Sequence, residues 1–216
     1  MISKLQNKEG DWITEEAQLG ELIKEYFTDI FSTSKNSLQD EQDCSYNSVQ
    51  RKVTTEMAQK LCKPVTELEI QAAVFQMGPT KVPGPDRFHA LFYQKFWHII
   101  KDKVIDTILR VFKDGKLEEG MNETLIVLIP KYRNLKKVEE FRPISLCNVS
   151  AKIVMKILAN RLKDILPLII SETQSAFVPG RLISDNILLA HEVMHYIKSR
   201  RNQQTYFFSI KTDMNK

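Results

Sequence analysis

Apolar residues recur at three- and four-residue spacing along most of this 216-residue chain, and no other feature limits its fold as strongly. Such spacing is typical of amphipathic helices. Runs suited to strands are few and short. The longest apolar run, residues 125–130, is far shorter than the ~20 residues that a membrane-spanning helix needs. We therefore predict a mostly helical α+β protein that does not enter a membrane.

The composition is that of a globular protein, with 43% hydrophobic and 27% charged residues. Polar and charged residues interrupt the N-terminus, so a signal peptide is not expected. Cys44, Cys62 and Cys147 are widely spaced and predict neither a disulfide framework nor a metal cluster. This pattern favours a reducing intracellular setting, nuclear or cytoplasmic.

Charge is distributed unevenly along the chain. Residues 1–50 hold four Lys or Arg and ten Asp or Glu, a net charge of −6. The rest of the chain holds 27 of the 31 basic and 17 of the 27 acidic residues, a net charge of +10. A basic region of this size can attract a polyanion, although a solvated lysine-rich surface would give the same count.

Residues 1–50 are expected to form an acidic helix over 12–31 followed by a polar linker, and residues 51–216 a separate domain. Within that domain, Thr66 and Glu69 have the spacing of a capping box. The Pro/Gly-rich stretch 79–86 cannot be helical. A long helix is predicted over 88–113, and Gly115 is placed to end it.

The β-branched stretch 124–129 and the stretch 141–146 predict a β-hairpin with a basic loop. A helix over 149–166, ended by Pro167, is expected next, and then a helix capped by Ser184 that runs to about 199. Residues 207–210 resemble a buried strand that leads to Asp213. An ordinary core strand with an exposed Asp at its end is the simpler interpretation of this tail.

Lys131 and Arg142 should lie near each other if the hairpin forms. An Arg fork and a Lys amine can together bind a triphosphate. The alternative is a pair of solvated surface cations.

The loop 174–181 places Gln174 and Arg181 on either side of a Gly turn, where both can contact nucleic-acid sugar and phosphate. The alternative is a connection between helices, with Phe177 filling the core. His191 and His195 share a helix face, but they lack a third ligand, and zinc is not expected.

A series of strings carries a specific resemblance. They are KVPGPD (81–86), ALFYQKFW (90–97), LIVLIPK (125–131), FRPISLCN (141–148), ANRL (159–162), QSAFVPGR (174–181), DNI (185–187) and KTDMNK (211–216). In the same order, they resemble strings of the reverse transcriptase of non-LTR retrotransposons, of the long interspersed element type found in plants. The resemblance covers about residue 53 to the end, and more loosely the N-terminal helix.

The resemblance implies the fingers subdomain of a right-hand polymerase with an incomplete palm, and an RNA-directed DNA polymerase as the family activity. It implies that Lys131 and Arg142 contact the triphosphate of a dNTP. It places Gln174, Arg181 and the loop at Gly84 along the RNA template and DNA primer.

The resemblance also makes Asp213 the first catalytic aspartate and a ligand of Mg²⁺. Two-metal chemistry needs further acidic ligands, and no Asp or Glu follows Asp213 in this sequence. The expectation is therefore a fragment of the enzyme without polymerase activity by itself. A non-catalytic nucleic-acid-binding module and a helical interaction domain are the alternatives. One departure from the family concerns the backbone: Arg87 stands where the family usually has Gly.

Overall fold

The computed structural model describes residues 2–32, 52–199 and 210. About half of the described residues are helical, and the described strands form two small antiparallel sheets, in agreement with the predicted α+β class. Two compact units are formed, one by residues 1–50 and 64–157 and the other by residues 51–63 and 158–216. The boundary at residue 50, predicted from composition, stays a prediction. None of the helices in the described ranges is long and apolar enough to cross a membrane.

The α-helices in the described ranges are α1 Glu16–Phe31, α2 Thr55–Leu61, α3 Glu67–Phe75, α4 Ala90–Lys95, α5 Trp97–Asp114, α6 Val149–Lys163, α7 Leu166–Ile169 and α8 Ile183–Ser199. The strands are β1 Leu5–Gln6, β2 Trp12–Ile13, β3 Thr124–Pro130 and β4 Phe141–Cys147. β1 pairs with β2, and β3 pairs with β4. The predicted β-hairpin is thus confirmed, while the strand predicted over 207–210 falls, apart from Ile210, outside the described residues.

The larger core of the first unit joins α3, α5 and the beginning of α6. Ile70, Ile108 and Ile153 are fully buried there. Thr66 forms the predicted capping box with Glu69 at the start of α3. These contacts bury the apolar stripes that the spacing predicts, and hydrophobic burial of this kind is the main force that holds such helices together.

The helix predicted over 88–113 is two helices, and this prediction is wrong in that respect. Phe96 leaves helical geometry, with φ −100° and ψ 16°, between α4 and α5. The Gln94 side-chain amide, two residues earlier, donates to the carbonyls of Val74 and Met77 at 3.0 and 2.9 Å. The spacing of apolar residues could not predict this break, because the spacing continues across it and gives no sign of the Gln94 hydrogen bonds. Gly115 ends α5 at φ 66°, as predicted.

A smaller core of the first unit joins the N-terminal segment to the hairpin base. Leu5, Leu19 and Phe27 are buried with Val138 and Phe141. The Gln6 amide also donates to the Lys136 carbonyl at 2.6 Å. The N-terminal segment therefore supports the loop end of the hairpin.

In the second unit, the Arg161 guanidinium donates to the carbonyls of Leu61 and Lys63 at 2.8 and 2.6 Å. A cation at the end of α2 also suits the negative end of the helix dipole. The prediction that Pro167 ends the preceding helix is wrong. α6 ends at Lys163, and Pro167 lies in the first turn of α7, where its missing N–H has no helical partner to lose.

Candidate nucleotide and nucleic-acid site

The β3–β4 hairpin places Lys131 and Arg142 on the same face. Ile129 pairs with Arg142, and the Lys131 amide, two residues on, donates to the Glu140 carbonyl at 3.1 Å. Because side chains alternate along a strand, Lys131 and Arg142 are diagonal neighbours, about 7–8 Å apart. Both are exposed. Two cations at this separation can reach one polyphosphate.

The loop that carries Lys131 is organised by Glu140. Its carboxylate accepts the amides of Lys136 and Lys137 at 2.5 and 3.1 Å. A hydrogen bond from Tyr132, followed by these two amides, lowers the pKa of Glu140 to about 2, and the same carboxylate raises the pKa of Tyr132. The Lys131 amine donates to the Glu139 carbonyl at 2.5 Å, which leaves further N–H donors on the same amine.

The sequence did not single out Glu140 or the N-terminal Leu5 as residues of this site. Leu5 is almost fully buried in the cluster that holds Val138 and Phe141. The acidic N-terminal helix, to which the sequence gave no function, thus belongs to the support of the hairpin. No local pattern indicates this contact, because more than a hundred residues separate its two sides.

Gly84 is buried against the junction of β4 and α6. A Cβ atom at this position would lie 2.4 Å from the backbone nitrogen and the Oδ1 atom of Asn148. The buried Asn148 side chain accepts the Asp86 amide at 3.1 Å and donates to the Gly120 carbonyl at 3.0 Å. Position 84 therefore needs glycine for a structural reason, because the backbone at Asn148 approaches too closely to leave room for a side chain. The predicted template contact of this loop stays a prediction.

Arg87 has φ 61°, in the left-handed region that favours glycine. The resemblance leads us to expect Gly at this position, and this conformation would suit Gly, since a side chain makes it unfavourable. Arg87 adopts the conformation and keeps its side chain exposed.

In the loop 174–181 of the second unit, Arg181 is engaged with backbone. Its guanidinium donates to the carbonyls of Gln174 at 2.7 Å, of Pro167 and Ile170 at 3.3 Å each, and of Ser171. Gln174 is exposed. Arg181 therefore fixes the shape of the loop, and both residues keep their predicted template contacts as a proposal.

Phe177 lies at the outer side of this loop and is 98% exposed, with φ 63°. The alternative in which Phe177 fills the core is therefore wrong. The neighbouring Ser175 and Val178 are buried instead. An aromatic ring held in solvent by an ordered loop is available to a flat apolar partner.

Asp213 lies outside the described residues, so its predicted metal role is given no geometry. In the part of the chain that the structure describes, no three His, Cys, Asp or Glu side chains form a group that could hold a metal ion. The metal site thus stays a prediction.

Comparison with known proteins relates part of this chain to a family. Residues 129–215 match the model of a family described as reverse transcriptase, RNA-dependent DNA polymerase. The matched segment includes Lys131, Arg142, Gln174, Arg181 and Asp213, and it begins after Gly84.

A relative with 32% identity over 146 residues is an uncharacterized 149 kDa protein of transposon TX1 from Xenopus laevis. The matched stretch covers 68% of this chain and 11% of that protein, so this chain spans about a tenth of its relative's length. The sequence is thus related to a transposon protein and matches the reverse transcriptase family model over residues 129–215. The predicted plant origin stays a prediction.

Proposed function

We propose that this chain provides the nucleotide- and template-contacting fingers of an RNA-directed DNA polymerase from a non-LTR retrotransposon. One observation carries the proposal. Lys131 and Arg142 lie within the segment that matches reverse transcriptases, and the hairpin register puts them on one exposed face. The transposon relative supports the origin from a mobile element. Action inside the cell, in the nucleus or the cytoplasm, is part of the proposal and rests on the cysteine pattern.

In this proposal the triphosphate of a dNTP binds across the hairpin face. The planar Arg142 fork takes two phosphate oxygens, and the Lys131 amine supplies a point charge to a third. The Glu140 carboxylate and the N-terminal segment act as positioning groups, because they hold the loop that carries Lys131.

Binding of dATP to Lys131→Gln and Arg142→Gln variants tests this proposal. Charge-assisted hydrogen bonds contribute about 1.5–3 kcal/mol, so each substitution is expected to weaken binding roughly tenfold or more. Lys113→Gln, an exposed lysine in the last turn of α5, is the matched control. Equal affinities in all three variants and the unaltered chain would overturn the proposed nucleotide site.

The template and primer are proposed to run along the loop 174–181. Gln174 supplies an exposed amide, and Phe177 supplies an exposed ring on which a base can stack. Arg181 acts through the loop, since its guanidinium is already bound to backbone carbonyls. Gly84 itself contributes shape rather than a side chain.

Reverse transcriptases as a family use divalent metal ions, and Mg²⁺ with Asp213 as a ligand enters this proposal on the resemblance alone. A primer-extension assay with an RNA template, a DNA primer, dNTPs and Mg²⁺ distinguishes a polypeptide that is an active polymerase from one that only contacts nucleotide and template. The expectation is that this polypeptide extends no primer by itself. Metal-dependent extension would contradict that expectation and assign the activity to these 216 residues.

A non-catalytic nucleic-acid-binding module is the second candidate, and the basic region after residue 50 favours it. This candidate requires RNA binding without any affinity for dATP at the hairpin. The dATP measurement therefore separates the two functions.

A further inference from the structure

Three half-exposed phenylalanines line one side of α4 and its ends. Phe88, Phe92 and Phe96 are 47%, 37% and 43% exposed. Residues four apart share a helix side, and the ring centroids are 4.8 Å apart for Phe88 and Phe92 and 5.2 Å apart for Phe92 and Phe96. Apolar rings this large are usually buried in a monomer, so a continuous exposed row of them indicates a binding surface.

The row borders an open groove of about 420 Å³, here called the aromatic groove. Its other lining residues are Pro79, Thr80, Arg87, His89, Leu91 and Lys95. The groove is thus a mixed surface, with apolar rings in the centre and cationic or polar groups around them. It belongs entirely to the first unit.

The charged groups of the aromatic groove are basic. Arg87 and Lys95 are both exposed. The neighbouring Asp86 carboxylate does not line the groove, and it accepts the Phe88 amide at 3.1 Å. Rings between cations suit a ligand that combines flat apolar faces with negative charge, which are the features of unpaired nucleotides.

We propose that the aromatic groove binds single-stranded nucleic acid, with bases stacked on the phenylalanine rings and phosphates near Arg87 and Lys95. This inference rests on the proposed function and adds to it a second contact surface, outside the segment that matches reverse transcriptases. An apolar peptide would fit the rings but would not use the two cations. Base stacking is tolerant of sequence, because every base has a flat face. Little preference among bases is therefore expected.

Fluorescence anisotropy with two labelled probes tests the inference. One probe is a twelve-nucleotide oligo-uridylate, and the other is an abasic strand of the same length and charge. The unaltered chain is expected to bind the strand with bases about tenfold more tightly. Phe92→Leu should remove most of this preference and leave binding to the abasic strand unchanged. Phe88→Leu serves as a second variant if Phe92→Leu does not fold.

Phe75→Leu is the matched control. Phe75 is 51% exposed and contacts Trp97 edge to face, with ring centroids 6.1 Å apart, in the same unit. It does not line the groove. This variant should keep the full preference for bases, and thermal melts monitored by circular dichroism establish that each variant is folded.

The outcomes separate this inference from the proposed function. An equal preference for bases in Phe92→Leu, Phe75→Leu and the unaltered chain overturns the inference, while the dATP result at Lys131 and Arg142 stands independently. A preference lost only in the groove variants, with dATP binding unaffected by the hairpin variants, supports the groove and contradicts the nucleotide site. A change from dimer to monomer in Phe92→Leu without any effect on the probes would instead assign the row to self-association and overturn the inference.

Discussion

At the scale of single residues, the loop 84–87 shows two opposite demands on the backbone. Gly84 needs to lack a side chain, because any Cβ atom would meet Asn148 at 2.4 Å. Arg87 has a side chain in a conformation that suits glycine, at φ 61°. Position 84 therefore has the glycine that its surroundings require, whereas position 87 has an arginine in a backbone conformation that favours glycine.

Replacing Arg87 by glycine is therefore expected to stabilise the protein. The left-handed conformation costs an L-residue about 1–2 kcal/mol, and the added flexibility of glycine in the unfolded chain offsets about 0.5–1 kcal/mol of that gain. Urea unfolding of Arg87→Gly should show a free energy of unfolding higher by about 0.5–1 kcal/mol. In the same experiment, Gly84→Ala should be less stable by about 1–3 kcal/mol, because a backbone contact cannot move aside. A loss of stability in Arg87→Gly would contradict this account.

Glu140 predicts a pH dependence of the hairpin loop. Its folded-state pKa is lowered from 4.5 to about 2, chiefly by the hydrogen bond from Tyr132. Its carboxylate therefore stabilises the folded loop fully above about pH 4.5, and this contribution is lost as the pH falls towards 2. Hydrogen exchange of the loop amides across this range should show protection that decreases in the unaltered chain. In Glu140→Gln the corresponding step should be absent, and an unchanged profile in that variant would rule out Glu140 as its source.

At the scale of elements, the hairpin does not position its own loop. A two-stranded sheet is marginal in water by itself, and the loop end here packs on the N-terminal segment. The Gln6 amide bonds to the Lys136 carbonyl, and Leu5 is buried with Val138 and Phe141. The acidic N-terminal segment therefore holds the backbone on which Lys131 lies. If Lys131 binds a nucleotide as proposed, this segment supports that binding indirectly.

Leu5→Ala tests this coupling between elements. Removing a fully buried leucine side chain is expected to destabilise the first unit by about 2–5 kcal/mol. Amide protection over residues 131–140 should fall, and dATP affinity should fall with it. Ile30→Ala, at an exposed position of α1, should change stability by no more than about 0.5 kcal/mol. Unchanged protection of the hairpin amides in Leu5→Ala would show that the N-terminal segment does not support the loop.

At the scale of the whole molecule, charge separates the chain into an acidic beginning and a basic remainder. The net charge is −6 over residues 1–50 and +10 over the rest. Among the residues that the structure describes, the ion pairs join exposed side chains, for example Lys60 with Asp164 at 3.1 Å. Exposed pairs contribute little to stability, so the fold does not depend on the basic excess, and the proposed nucleic-acid partner gives that excess a testable role.

Binding of single-stranded RNA is consequently expected to weaken steeply with salt. Each phosphate that is neutralised on a single strand contributes about −0.7 to the slope of log K against log salt concentration. Titrations between about 50 and 200 mM NaCl should give a linear plot with a slope of several times that value. Affinity that does not change with salt would exclude a phosphate-based interface.

Sequence reasoning was most successful where a structure depends on residues close together in the chain. Thr66 caps α3 through Glu69, three residues away, and Gly115 ends α5 from the next position. The hairpin also followed from two apolar runs and the basic, polar loop between them. The same local reasoning missed the break at Phe96, because the side chain of Gln94 bonds to carbonyls about twenty residues away.

The sequence by itself determined the helical character of the chain, the hairpin and the resemblance that directed attention to Lys131 and Arg142. These depend on spacing, turn chemistry and short strings, all of which are local properties. Only the tertiary structure decided that Arg181 binds backbone carbonyls, that Phe177 faces solvent and that Leu5 supports the hairpin. Each of these depends on packing and solvent exposure in the folded chain, and the order of residues does not reveal which distant atoms meet.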